Sequence, residues 1–228
     1  MNELRMLGVG VWVPVSWLTR ALVPVLASIL SVGCATTPPS SFYLLTPIPE
    51  AVGHTAAPGG AGLTIGIGPV SFPQFLDRPQ IVARDGANRL SVDELHRWGG
   101  SLQDDFLRVW GENLAVLLET SRVLTYPFEV RTPLDYRILA SVLGFEGAVG
   151  REAVLKVRWV VQDGQGERVL AVREDRYRRP IAGGGVGADQ GPLVAAMSEC
   201  LGAFSRDVAD LVRGLPRPAP LPAAVQSP

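Results

Sequence analysis

The chain reads as an α+β protein: an antiparallel β-sheet with two amphipathic helices packed on one face. Three observations predict it. From Glu152 to Gln162, Ala153, Leu155, Val157, Trp159 and Val161 alternate with Lys156, Arg158 and other residues, the period of a strand buried on one side. Phe106, Val109, Trp110, Leu114, Leu117 and Leu118 recur at helical spacing, as do Leu193, Met197, Cys200, Leu201, Phe204, Val208 and Leu211. Strands then helix, strands then helix, joined by short turns, make an antiparallel sheet with helices on one side.

The N-terminus comes first. Ala21 to Gly33 is an apolar run preceded by Arg20 and closed by Cys34. Positive charge, apolar run and small residues at the junction describe an export signal. Thirteen residues at 1.5 Å each reach only about 20 Å, short of a bilayer core. Extending the run backwards would bury Arg20, Pro14 and Pro24, at a cost of about 2.5 kcal/mol or more for the arginine alone. Gly33 directly before Cys34, with Leu30 and Ser31 upstream, resembles the bacterial lipobox. That resemblance implies a diacylglycerol on the Cys34 thiol, removal of residues 1–33, and acylation of the new amine. Residues 34–62 then form a lipidated tether. It holds one strand-like stretch, Phe42-Tyr43-Leu44-Leu45, and a soft segment rich in Ala, Gly and Pro from Glu50 to Gly62.

The mature chain retains 195 of the 228 residues, enough for one domain with a core, here assigned to 63–215. Losing Glu3, Arg5 and Arg20 moves the net charge from −1 to −2. That balance argues against a nucleic-acid partner. The chain has two cysteines, so an acylated Cys34 leaves Cys200 without an internal partner.

Within the domain, Leu63, Ile65 and Ile67 alternate as a strand. Val70 to Arg78 is apolar but interrupted by Pro73, a bulge or loop at a sheet edge. Gln80 to Arg84 and Arg89 to Val92 flank Asp85-Gly86-Ala87-Asn88, a hairpin turn. Ser101 caps the first helix, with Asp104 three residues on. Arg122 to Val130 is a strand broken by Pro127. Tyr136 to Phe145, Glu152 to Gln162 and Glu167 to Arg178 make a meander turned at Asp163-Gly164-Gln165-Gly166. Gly183 to Gly187 leads to the second helix, started by Gly191-Pro192 and stopped by Gly214 and Pro216. Residues 216–228 are Pro/Ala-rich and expected to be disordered.

Catalytic and metal-binding residues are not found. His54 stands in the soft segment, and His96 beside Asp93 and Glu94 fits no metal-ligand spacing. There is no Gly-x-Ser-x-Gly elbow. Cys200 lies on an apolar helix stripe and reads as a buried structural thiol. Arg173, Arg176, Arg178 and Arg179, with Lys156 and Arg158, form a basic strand face; contact with anionic lipid head groups is the minor alternative.

Phe75-Leu76-Asp77-Arg78-Pro79-Gln80-Ile81-Val82, then Asn88-Arg89-Leu90 and His96-Arg97-Trp98, resemble the ABC-type transport auxiliary lipoprotein family. Asn113-Leu114, Asp135-Tyr136-Arg137 and the strands from Glu152 to Arg178 follow the same layout. The resemblance spans Phe42 to Leu215. It implies a non-catalytic lipoprotein of the outer membrane, facing the periplasm. Its partner would be an MCE-domain protein of an inner-membrane transport complex that moves lipid between membranes. It implies no cofactor beyond the covalent lipid on Cys34, and it allows a homo-oligomer. Phe72, Phe75, Leu76 and Arg78 are the candidate partner-contact residues, since apolar groups beside Pro73 are hard to bury; the competing expectation is that the phenylalanines cap the core. A structural envelope lipoprotein unrelated to transport, or a periplasmic enzyme, are the alternative functions.

Overall fold

The computed structural model describes residues 39–49, 62–128, 132–148, 152–182 and 189–216. Cys34, the signal before it, most of the tether, the glycine-rich loop and the tail from 217 lie outside them.

The meander is present as expected. β6 (Tyr136–Ala148), β7 (Glu152–Asp163) and β8 (Val169–Pro180) pair antiparallel in order. Ala153, Leu155, Val157, Trp159 and Val161 are all fully buried on one face of β7. The turn into β8 is set by Asp163, whose carbonyl and carboxylate accept the Gly166 and Glu167 N–H groups at 2.9 Å. Gly166 supplies the positive φ of 79° that the turn needs.

The remaining strands are β1 (Ser41–Tyr43), β2 (Ile65–Ser71), β3 (Gln80–Asp85), β4 (Arg89–Trp98) and β5 (Val123–Thr125). They join one eight-stranded sheet in the order β1-β4-β3-β6-β2-β5, with β7 and β8 continuing from β6. This corrects one expectation: the fold is α+β, but the sheet is mixed rather than antiparallel. The β3–β4, β6–β7 and β7–β8 pairs are antiparallel because each joins strands that follow one another closely in the chain. Four pairs are parallel: β1–β4, β2–β5, β2–β6 and β3–β6. β2 reaches β5 and β6 only after helix α1 (Leu102–Leu117) has carried the chain back, so the strands run the same way.

β2 and β3 share a single edge of β6. Ile65 to Ser71 lie along Tyr136 to Ser141, and Ala83 and Arg84 lie beside Gly147 and Ala148. Between them Pro73 and a 3-10 turn at Gln74–Leu76 let the chain sidestep.

α1 begins as expected, with the Ser101 side chain accepting the Asp104 N–H at 3.3 Å. It ends just before Glu119, a non-glycine residue at φ 52°. α2 (Gly191–Gly214) starts with Pro192 in its first turn and carries Arg213 in its last. Phe106 and Trp110 of α1 meet Phe204 of α2, which also contacts Trp159 and Tyr177 of the sheet, with ring centroids 5.2 to 6.4 Å apart. These five rings tie both helices to one sheet face and form the centre of the core.

Candidate functional site

The expected contact segment divides between core and surface. Leu76 is 3% exposed and belongs to the core, which removes it from any docking surface. The 3-10 turn points it inward, where burial of a leucine contributes about 2 kcal/mol. Phe72 is half-buried and stands edge-on to Phe106 at 5.4 Å. Phe75 is also half-buried against the core, and Arg78 is exposed. The core-capping expectation therefore describes both Phe72 and Phe75, each of which keeps part of its surface, while Arg78 is exposed.

A different element joins the N-terminal side of the chain to the helices. After the β1–β4 ladder, from Leu44 to Pro49, the backbone runs as a strap across α1 and α2. From Leu45 on, its polar groups are met by side chains of the two helices. The Leu45 N–H donates to Asp105 Oδ2 at 2.7 Å, and the Leu45 carbonyl accepts from Arg108 at 3.1 Å. The Thr46 N–H donates to Ser198 Oγ at 3.0 Å and the Ile48 N–H to Asn113 Oδ1 at 2.8 Å. Asn113 in turn donates to Ser205 Oγ at 3.1 Å, so α1 and α2 hold the strap through one connected network. Ile48 packs over Gly202, where a Cβ would stand 3.0 Å from its Cγ2.

At its upstream end, the Tyr43 hydroxyl donates to Asp189 Oδ1 at 3.1 Å, and the Gly191 N–H reaches the same oxygen at 2.8 Å. The Gly191 N–H and then the Tyr43 hydroxyl hold the Asp189 carboxyl below its ordinary range. Tyr43 itself is pushed up, first by burial. Its ring lies 5.7 Å from that of His96. Arg108 is raised by Asp105 first, with Glu112 adding to it.

Sequence reading missed this strap, although a signal exists. Asp105 and Asn113 are eight residues apart, two helical turns, and both are buried polar residues beside the apolar stripe of α1. Ser198, Gly202 and Ser205 form a matching seam of small residues on α2. Buried polar groups at helical spacing imply a partner that satisfies them.

The other singled-out residues have structural roles. His96 Nδ1 lies 2.8 Å from Asp93 Oδ2. Burial works against the Asp93 charge, but His96, the Leu95 N–H and Gln190 together hold its carboxyl low. Among the described residues, no group of three His, Cys, Asp or Glu could hold a metal ion. Cys200 is fully buried between α2 and β7, and burial pushes its thiol up to about 11. Its sulfur lies 3.5 Å from the Ala153 carbonyl oxygen. On the basic face, Glu174 pairs with Lys156 at 2.8 Å and Arg158 at 2.7 Å, and Arg178 pairs with Glu152 at 3.3 Å. Arg173 and Arg179 are not on this face: the register sets them opposite the buried Trp159 and Ala153, on the side that carries the helices, where Arg179 approaches Glu199 at 3.8 Å and Arg173 stacks over Trp159. These carboxylates balance much of the positive charge. A shallow open groove of about 470 Å³ lies between α1 and β5, lined by Leu107, Gly111, Ala115 and Val123 among others. Among the described residues no helix is long and apolar enough to cross a membrane.

Comparison with known proteins adds a family and a fold. A family model described as the ABC-type transport auxiliary lipoprotein component matches residues 43–209. An uncharacterized protein of known structure aligns with 77% of this chain and 99% of its own, at 14% identity and TM-score 0.60. Protein XCC0632 from Xanthomonas campestris aligns with 77% of this chain and 97% of its own, at 16% identity and TM-score 0.60. At these identities the two structures share the fold with this chain. No curated protein matches it.

Proposed function

The chain belongs to the ABC-type transport auxiliary lipoprotein family, and from that membership we propose that it is a non-catalytic subunit of an MCE-type lipid transport system. In this reading Cys34 carries the lipid anchor, with no other cofactor. Ala35 follows the cysteine where an aspartate would favour retention at the inner membrane, so the protein is sorted to the outer membrane and faces the periplasm. There the domain docks an inner-membrane-anchored MCE-domain protein, with Phe75 and Arg78 at the contact and Phe72 bracing it from behind.

The observation that carries the reading is the match itself, which starts at Tyr43 and covers the strap, both helices up to residue 209 and all strands but β1. The side-chain chemistry supports a non-catalytic role. The Cys200 thiol is held protonated in the core, and the strap polar groups are engaged with one another.

Two measurements test this. Cys34→Ser should abolish acylation and signal cleavage and remove the protein from the outer-membrane fraction. Tagged wild-type protein, solubilised from envelopes, should co-purify with an MCE-domain protein. A wild-type protein that fractionates correctly yet captures no MCE-domain protein would defeat the transport reading while leaving the anchor intact.

A further inference from the structure

Phe42 of β1 and Leu44 just after it place two large apolar side chains in solvent where the tether enters the domain. Phe42 is 67% exposed and Leu44 56%. Along an extended chain they point to one side, while Tyr43 and Leu45 point to the other and are engaged by His96, Asp189 and the core. Leu44 rests one side against Gly99, where a Cβ would stand 3.1 Å from its Cδ2, and still leaves more than half its surface in solvent. The strap is held by the alternate residues and by the backbone. Arg97, half-exposed, sits opposite Phe42 in the β1–β4 register, with Glu94 nearby.

The position of the pair along the chain supplies the partner. Seven residue steps separate Cys34 from Ser41, a reach of at most about 25 Å even fully extended. A group tethered that closely meets the bilayer surface at high effective concentration, whatever its intrinsic affinity. Exposed apolar side chains suit the interfacial layer, where buried apolar area drives binding; the Arg97 charge beside them is already paired with Glu94.

We infer that Phe42 and Leu44 form a second membrane contact, seating the β1 edge of the domain in the bilayer interface and fixing the orientation of the sheet. This rests on acylation of Cys34. The anchor alone sets distance; the apolar pair sets which edge faces the lipid.

The test uses the mature acylated protein reconstituted in phosphatidylethanolamine–phosphatidylglycerol vesicles containing a doxyl-labelled lipid. Phe42→Trp and, separately, Leu44→Trp place reporters in the contact. Leu90→Trp places a control toward the other end of β4, about 24 Å from the Arg97 position. The native Trp98, Trp110 and Trp159 are buried and give a common background. The inference expects blue-shifted emission and loss of intensity at positions 42 and 44, with none at 90. Protein that floats with the vesicles but shows no quenching at 42 or 44, or equal quenching at 90, overturns the contact and leaves the anchor standing. Protein that does not float overturns the anchor and the contact together.

Discussion

Asp105→Ala is the sharpest perturbation of the strap. The carboxylate is 8% exposed and does two things at once. Its Oδ2 accepts the Leu45 N–H at 2.7 Å, and its Oδ1 accepts two Arg108 N–H groups at 3.1 and 2.6 Å. Removing it strands the Leu45 N–H, on a residue that is itself buried, and an unmet buried donor costs about 1–3 kcal/mol. Arg108 is not stranded, because it keeps Glu112 at 2.8 Å and the Leu45 carbonyl. Its lost pair is part-exposed and adds only about 0.2–1 kcal/mol. The sum is about 1–4 kcal/mol. At about 2–4 °C per kcal/mol for a domain of this size, the Tm should fall by about 2–16 °C. Asp105→Asn keeps an oxygen acceptor and should lose less than half as much. Hydrogen exchange then asks where the loss falls: the Leu45, Thr46 and Ile48 amides should lose protection together, because Asp105, Ser198 and Asn113 hold them on one short stretch of backbone. An Asp105→Ala protein with unchanged Tm and an unchanged Leu45 exchange rate would refute the idea that these bonds hold the strap.

Three further outcomes are expected. Leu76→Asp, which buries an unpaired charge, should lose several kcal/mol and melt early in calorimetry; Arg78→Glu should melt normally and lose capture of the MCE-domain protein, and normal capture would exclude Arg78 from docking. The Cys200 thiol is pushed up to about 11 from its ordinary 9.0, so the folded state holds that proton more tightly than the unfolded chain does. Its contribution is therefore fully present below pH 9 and is lost as pH rises towards 11; a pH series of denaturant melts on wild type and Cys200→Ala should diverge only in that window.

What the sequence made legible was local. Ser101 and Asp104 mark the start of α1 because a capping side chain and its N–H lie three residues apart. The alternation from Ala153 to Val161 marks β7 because one face is wholly buried. Asp163 to Gly166 marks the hairpin because its turn needs a positive φ. The parallel pairings were not legible, since nothing in Ile65 to Ser71 says which strand will lie beside it after a helical crossover. The inward turn of Leu76 was hidden for a related reason. Pro73 forbids continued strand pairing, but whether the next residues face out or in depends on the space the assembled core leaves for them. The strap was half visible, in the misplaced polarity of Asp105 and Asn113, but its partners lie 60 or more residues away in the chain.

That separation also orders events in time. Thr46 bonds to Ser198 across 152 residues, and Tyr43 to Asp189 across 146. A chain that emerges N-terminus first, from a ribosome or through a translocation channel, has its first strand in hand long before the helix that secures it. β2 and β3 likewise wait for the whole of β6, whose edge they divide. The polypeptide therefore stays open through most of its emergence, which suits a channel that admits only unfolded chains. Closure comes in a late, non-local step, and the end nearest the anchor is among the last parts to be sealed.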